Sequence, residues 1–412
     1  MESKVKILSP VGSFASLESA IDAGADAIYF GVEEFNMRSK SSQNFSLDDL
    51  DAILSKCHKI GIKCYVTVNS VIYNEELVKV KTLLDKLKKK NVDAVIAHDI
   101  AILNYAKKIG LTCHISTQAN VSNIEAVKFY ANFADTIVLA RELNLDQIKS
   151  ICKTVRKEQI LGPSQKLLKI EIFIHGAMCV AISGKCYMSL AQYNMSANRG
   201  KCLQACRRRY LVKEEETGKE LIIDNKYIMS PKDLCTIDFL EQIIDTGVDI
   251  LKIEGRARTA DYVSIVTKTY KNALNAISLN NFTKDKKEAF KTHLKTVYNR
   301  GFWSGYFLGN DNDGWAKTYG SKATLKKVYL GRVTNYFSKI NVLEMLIEST
   351  NLEENNKIVI IGEKTGSIFH VAKNIKNHSN SNLEENKKTI TFHLPQTARR
   401  NDKVYALKQN DS

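Results

Sequence analysis

The sequence predicts an α/β protein: an eight-stranded parallel (β/α)8 barrel of the TIM type, with a cysteine-bearing insertion between strands seven and eight and a small C-terminal β-barrel domain. Three observations predict it. Short β-branched apolar runs alternate with amphipathic helical stretches over about 275 residues, the usual extent of such a barrel. The runs are dense in apolar residues, as expected of parallel strands covered on both faces. The alternation then gives way, from about residue 328, to short strands separated by polar turns.

Four strand candidates share one local pattern, a small or apolar residue, then Asp, then an apolar run: GADAIYFG (24–31), VDAVIAHD (92–99), ADTIVLARE (134–142) and VDILKIEGR (248–256). Between and before them lie VKILSP (5–10), KCYVTVN (63–69), TCHISTQ (112–118) and KIEIFIHG (169–176), which makes eight. Helical periodicity fills 14–23, 47–60, 75–90, 100–109, 123–132, 145–157 and 261–278. Gly24, Gly61, Gly110 and Gly247 stand where helix C-caps are expected. The rhythm breaks at 177–246, which divides the chain into a barrel over 1–278 with that insertion, a helical connection over 279–327, and a β-domain over 328–412. The β-domain is read from VYLGRVTNYF, KINVLEMLI, KIVIIGE and KTITFHL, with 374–388 as a polar loop.

With 412 residues, 44% of them hydrophobic, the chain can bury a large core. No apolar run is long enough to span a bilayer and no secretory leader is evident, so a cytoplasmic protein without a membrane partner is expected. In a reducing compartment, nine cysteines read first as ligands or redox groups. The net charge of +15 suits a polyanionic partner, although KTLLDKLKKK (81–90) is better read as a solvated helix face.

Barrels of this type carry their chemistry at the C-terminal ends of the strands. Those ends supply Asn69, His98, Asp99, Ser116, Gln118, Arg141, Glu142, His175, Lys252, Glu254 and Arg256. Glu254 and Arg256 read either as an internal ion pair or as site groups, and the convergence of several charges on one mouth favours the second. The cysteine pattern is sharper. Six residues separate Cys179 from Cys186, fifteen separate Cys186 from Cys202, and three separate Cys202 from Cys206. Four soft thiolates so grouped suit zinc or an iron–sulfur cluster, and zinc sites usually show two short hooks where this segment has one. Cys235 is an alternative fourth ligand. Arg207, Arg208 and Arg209 follow directly and suit a phosphate or carboxylate. No H-E-x-x-H or G-x-S-x-G motif is present, and His175, four residues before Cys179, is the nearest approach to a Cys–His pair.

The blocks EIFIHGAMCVAISGKCYMS (171–189), NRGKCLQACR (198–207), MSPKDL (229–234) and LKIEGRARTADYV (251–263) resemble the collagenase-like peptidase family U32, as do LSPVGSFASLESAIDAGADAIYFG (8–31) and HISTQANVSNIEAVKFY (114–130). The resemblance implies a 4Fe-4S cluster on Cys179, Cys186, Cys202 and Cys206. Its length is nearest the branch that hydroxylates tRNA, making 5-hydroxyuridine at the wobble position without dioxygen and with prephenate as the hydroxyl donor. Other readings are a 23S rRNA cytidine hydroxylation protein, a collagenase-like peptidase, and a non-catalytic iron–sulfur RNA-binding protein. On the hydroxylation reading His175, Glu254 and Arg256 are expected to be catalytic. Arg141, Lys252, Gln118, Asn69, Arg207 and Arg208 are then expected to bind substrate, the partners being tRNA and a small dicarboxylate.

Overall fold

The computed structural model describes residues 5–39, 44–210, 215–218, 229–309, 314–316, 320–378 and 388–410. The strands of its first sheet are β1 Lys6–Pro10, β2 Ala27–Gly31, β3 Lys63–Thr67, β4 Ala94–Ala97, β5 Cys113–Ile115, β6 Thr136–Val138, β7 Lys169–Ala177, β8 Asp233–Cys235, β9 Ile250–Ile253 and β10 Phe302–Trp303. Strands β1 to β7 pair in parallel order, β7 pairs parallel with β9, and β9 returns to β1 through Ile7 and Leu251. The eight expected strands therefore close into the expected barrel.

The aspartates of the sequence repeat hold the barrel's lower rim. Asp26, Asp93 and Asp249 each accept the backbone N–H of the second residue of a neighbouring strand: Ile7 at 2.8 Å, Cys64 at 2.9 Å and Ile170 at 2.8 Å. Asp135 caps a turn instead, accepting from Ser164 N at 3.0 Å and Ser164 Oγ at 2.6 Å. An ionised acceptor at each position satisfies an N–H that would otherwise enter the low-dielectric wall unpaired.

Helices form at all seven expected places. Leu145–Lys157 shows why: it buries Ile148, Ile151, Cys152 and Val155 at helical spacing, and Asn144 caps it in a reciprocal pair with Gln147. The four C-cap glycines adopt φ between +65° and +87°, the left-handed region that closes a helix. Two short helices, Met188–Tyr193 and Leu240–Asp245, were not expected, since six residues are too few to display a 3.6-residue period.

Past Phe173, β7 shifts register against β9, with His175 still opposite Ile253, and also pairs antiparallel with β8 through His175 and Cys235. Gly176 makes this possible: its φ is +105°, and a Cβ there would sit 2.4 Å from the Glu254 carbonyl oxygen.

The expected small C-terminal β-domain is present as a seven-stranded antiparallel sheet with its own apolar core. Its strands are β11 Leu325–Phe337, β12 Val342–Ile347, β13 Lys357–Gly362, β14 Gly366–Val371, β15 Lys376–His378, β16 Lys388–His393 and β17 Lys403–Gln409. The order β14-β13-β17-β11-β12-β16-β15 leaves β14 and β15 as edges, with no ladder joining them among the described residues. It begins at Leu325, slightly before the expected boundary. The sheet docks on the helix Phe14–Asp22 by a 2.8 Å bond between Ser19 Oγ and Ser367 Oγ, and on the helix Ala260–Ser278 by a Lys327–Asp261 ion pair of 2.6 Å. Among the described residues no helix is long and apolar enough to cross a membrane.

The aspartate caps give a direct test. Replacing Asp249 by Ala leaves the Ile170 N–H without its acceptor and should lower stability by about 1–3 kcal/mol, read as a shifted urea midpoint with unchanged slope. A midpoint equal to wild type would remove the caps from the account of barrel stability.

Candidate active site

A cavity of about 240 Å³ opens at the C-terminal ends of the barrel strands. Tyr29, Thr67, Phe173 and Lys252 reach it from the wall; Arg38, Asn69, Gln118 and Arg141 come from the loops above; the segment that follows β7 covers it and brings Cys179, Cys186, Cys202, Cys206 and Arg207 to its lining.

The charged centre is Glu254. Arg38 Nη2 meets its Oε1 at 3.1 Å, and Tyr29 donates its hydroxyl to Oε2 at 3.2 Å. Burial pushes this carboxyl up, but Arg38, Arg256 and Arg141 outweigh it and hold the group below the usual carboxylate range. Burial lowers Arg256 to about 10, and its Nη1 donates to Thr67 Oγ1 at 2.7 Å and Asn36 Oδ1 at 3.2 Å. The internal Glu254–Arg256 pair is thus replaced by a Glu254–Arg38 pair with Arg256 beside it. Asn36 Oδ1 also accepts from the Arg38 backbone at 3.0 Å, and Asn69 Oδ1 accepts from Met37 N at 3.2 Å. These two amides fix the loop that delivers Arg38. Asn69 donates in turn to Gln118 Oε1 at 3.0 Å, so both expected amides line the cavity and also brace it.

Arg141 stacks on Phe173 at 4.7 Å and donates to the Ala177 carbonyl from both Nη atoms, at 3.2 and 3.1 Å. Arg207 donates to the Met178 carbonyl at 2.8 Å. Arg258 and Arg300 also line the cavity, and Arg258 stacks on Tyr298 at 3.7 Å. Among the described residues, Arg141, Arg207, Arg256 and Arg258 line the cavity with no carboxylate in an ion pair. Among the described residues of the lining, Glu254 is the one carboxylate and there is no histidine.

The four clustered cysteines carry no disulfide. Burial pushes the Cys206 thiol up to about 11, against the pull of Arg207, and Cys179, Cys202 and Cys186 all lie near enough to raise it further. Among the described residues, no three of these sulfurs lie within 4.8 Å of one another. The one trio of donors that close, His58, Cys64 and Asp93, sits in the aspartate-capped lower rim, where Asp93 already holds Cys64 N, Lys63 and His58.

Several expectations are corrected. His175 does not reach the cavity; it is buried among Tyr262, Tyr270 and Phe302, with Nδ1 3.3 Å from the Tyr270 hydroxyl. The register shift in β7 turns it outward from the site. Lys252 lines the cavity, but its ammonium is committed to buried Glu171 at 2.6 Å, so it is not a free carboxylate partner. Arg208 points away, over the ring of Tyr193 at 4.9 Å. Cys235 is buried in β8 beside Tyr270 and does not line the cavity. Asp99 caps the helix Ile100–Lys108 by accepting from Ala101 N at 2.9 Å. The strand-end candidates did not include Arg38, Asn36, Tyr29, Arg258 or Arg300, all of which line or brace the cavity. The E-G-R-A-R run carried a signal for Arg258, whereas nothing local marked Asn36.

A sequence model of peptidase family U32 matches residues 12–317. The chain belongs to that family. A collagenase of Porphyromonas gingivalis (strain ATCC BAA-308 / W83) is 45% identical over 407 residues, covering 98% of each chain. The uncharacterized protease MJ0090 of Methanocaldococcus jannaschii is 37% identical over 411 residues, again 98% of each. The tRNA hydroxylation protein P1 of Bacillus subtilis is 29% identical over 392 residues, 92% of this chain and 89% of that one. In identity, this U32 chain therefore stands nearer to the collagenase and the protease than to the tRNA hydroxylation protein, contrary to the branch expected from its length.

The buried histidines give this U32 protein a defined acid sensitivity. Burial lowers His175 and His114 to about 3, Arg258 adding to the first and Lys252 and Lys169 to the second. Below about pH 6.5 the unfolded chain takes up protons that these folded-state rings refuse, so stability is present above that pH and falls as pH drops toward 3. Each ring should contribute a slope of up to about 1.4 kcal/mol per pH unit. Urea midpoints between pH 7 and 4.5 should show it, and His175→Gln should flatten it; an unchanged slope in that variant would mean His175 titrates in the folded protein.

Proposed function

We propose that this U32 protein binds a 4Fe-4S cluster on Cys179, Cys186, Cys202 and Cys206 and hydroxylates a base of RNA, the wobble uridine of tRNA, with prephenate as hydroxyl donor. The observation that carries the reading is the composition of one cavity: among the described residues its lining joins four thiols free of disulfides to Arg141, Arg207, Arg256 and Arg258, none of them in an ion pair with a carboxylate, and holds no histidine. The donor set fits the cluster. Four soft thiols supply the usual ligands, and their spread exceeds the roughly 3.8 Å sulfur separation that Zn–S bonds of about 2.3 Å impose. Bound there, the cluster supplies electron transfer or a Lewis-acidic iron. Arg38, Arg141 and Arg207, close to Cys202, Cys179 and Cys206, offset its negative charge.

Arg141 and Arg256 are the groups best suited to hold the carboxylates of a dianion, since both line the cavity and neither is in an ion pair among the described residues. Glu254 fixes Arg38 and lowers the mutual repulsion of the arginines. In this reading it is a positioning group, because a carboxylate held below its usual range by neighbouring arginines is a weaker proton acceptor than a free one. The C-terminal sheet assists with a large substrate and supplies no reacting group.

A collagenase-like peptidase is the second reading, favoured by the 45% identity to the P. gingivalis collagenase. Hydrolysis of a peptide needs an activated nucleophile or a metal-bound water. The cavity offers no histidine to activate a serine or cysteine, and cysteines committed to iron are not free nucleophiles.

Two experiments test these assignments. Anaerobically purified Cys206→Ala should lose most of its iron and sulfide while Cys235→Ala retains them; full iron in Cys206→Ala would exclude it as a ligand. Nucleoside mass spectrometry of bulk tRNA and ribosomal RNA, with and without the gene, should reveal loss of 5-hydroxyuridine, and Arg256→Lys should fail to restore it although the charge is kept. Unaltered nucleosides together with gelatin cleavage by the purified protein would establish the second reading instead.

A further inference from the structure

The cysteine segment has an outer face that the cavity does not use. Tyr187 directly follows Cys186 in the chain and Arg208 directly follows Arg207; Cys186 and Arg207 line the cavity, while Tyr187 and Arg208 do not. Tyr187 is 77% exposed and, among the described residues, has no ring or cation stacked on it. Tyr193, 38% exposed, lies beneath the Arg208 guanidinium at 4.9 Å and accepts a hydrogen bond from it.

A second arginine–tyrosine pair provides the contrast. Arg199 covers Tyr73 at 4.1 Å, but its fork is closed by an ion pair with Glu76. Arg208 has no carboxylate partner among the described residues. The surrounding sequence is equally one-sided: from Met178 to Tyr210 it contains Lys185, Arg199, Lys201, Arg207, Arg208 and Arg209, and no Asp or Glu.

We infer that Tyr187 and the Tyr193–Arg208 pair form a stacking platform on which unpaired bases of a single-stranded nucleic acid lie as one of them enters the cavity. This rests on the RNA reading above and adds the surface by which the RNA is held. Every base has a π-face, so exposed tyrosines and arginine planes bind unpaired bases with little sequence preference, while nearby cations meet the phosphates. A stacked duplex base cannot present its face in this way. A proline-rich peptide also stacks on tyrosine, but its neutral backbone gains nothing from Lys185, Lys201 and Arg208, which no carboxylate pairs among the described residues.

The test is fluorescence anisotropy of the full-length, anaerobically purified protein with three probes: a short RNA hairpin with an unpaired loop, the same sequence as a blunt duplex, and a collagen-like proline-rich peptide. The hairpin should bind more tightly than the duplex. Tyr187→Ala and Tyr193→Ala should each weaken hairpin binding about tenfold with iron content unchanged, and Tyr187→Phe should retain wild-type affinity because it keeps the ring. Equal hairpin affinity in wild type and both alanine variants would overturn the platform, even if a deletion strain lacks the modified nucleoside. Tyrosine-dependent binding of the peptide in preference to the hairpin would overturn it in favour of a peptide surface. Tyrosine-dependent hairpin binding with normal nucleosides in the deletion strain would keep the platform and remove the hydroxylation reading.

Discussion

Guanidinium groups gathered in a cavity repel one another, and the repulsion is strong where bulk water is excluded. Arg38, Arg141 and Arg256 meet a single carboxylate, Glu254, which sits at the end of β9 where the last barrel strand meets the first. The position of that carboxylate depends on close backbone packing. Gly176 brings β7 against the Glu254 carbonyl, and the residue after Arg256 begins the approach to the helix Ala260–Ser278. The loop that carries Arg38 is tied in turn to Asn36, Asn69 and Arg256. The upper half of the barrel is thus organised around one charge balance, and the thiols lie on its open side.

The barrel was legible because its strands are apolar runs and its helices are amphipathic, both local patterns. The repeated aspartates were legible as a pattern, though their role as caps of the adjacent strand depends on pairing that only the closed sheet defines. In the C-terminal sheet, β14, β15 and β17 escaped notice because they are short or carry alternating polar residues on an exposed face. The clustered thiols were legible from spacing. His175 was misread because position at a strand end implies orientation only if the strand keeps its register, and β7 does not. Arg38 stood outside the strand-end candidates because it lies in a loop, and its return to the mouth depends on amide hydrogen bonds that no periodicity reports.

Family membership and reaction are separate questions here. The U32 relatives named above include a collagenase, a protease and a tRNA hydroxylation protein, so overall identity ranks kinship without choosing a chemistry. The lining of the cavity is the more direct guide. Thiols opposed by arginines suit a bound anion; general base hydrolysis calls for a group of intermediate basicity, and Glu254, the only carboxylate among the described lining residues, is held below the usual carboxylate range by cations.

The pairing of β7 with β8 also bears on how this segment can change. His175, Gly176 and Ala177 lie opposite Cys235, Leu234 and Asp233, so the chain from 178 to 232 leaves and re-enters the barrel at two points clasped side by side. An excursion with fixed feet can lengthen at an entropic cost that grows only with the logarithm of its length. Between those feet the segment is tied to the barrel mouth again, the Asn198 carbonyl accepting from Val71 N at 3.2 Å and Arg199 donating to the Val71 carbonyl at 2.8 Å. Remodelling that spares the strands and the arginine cavity is therefore confined to the outward stretches between these ties.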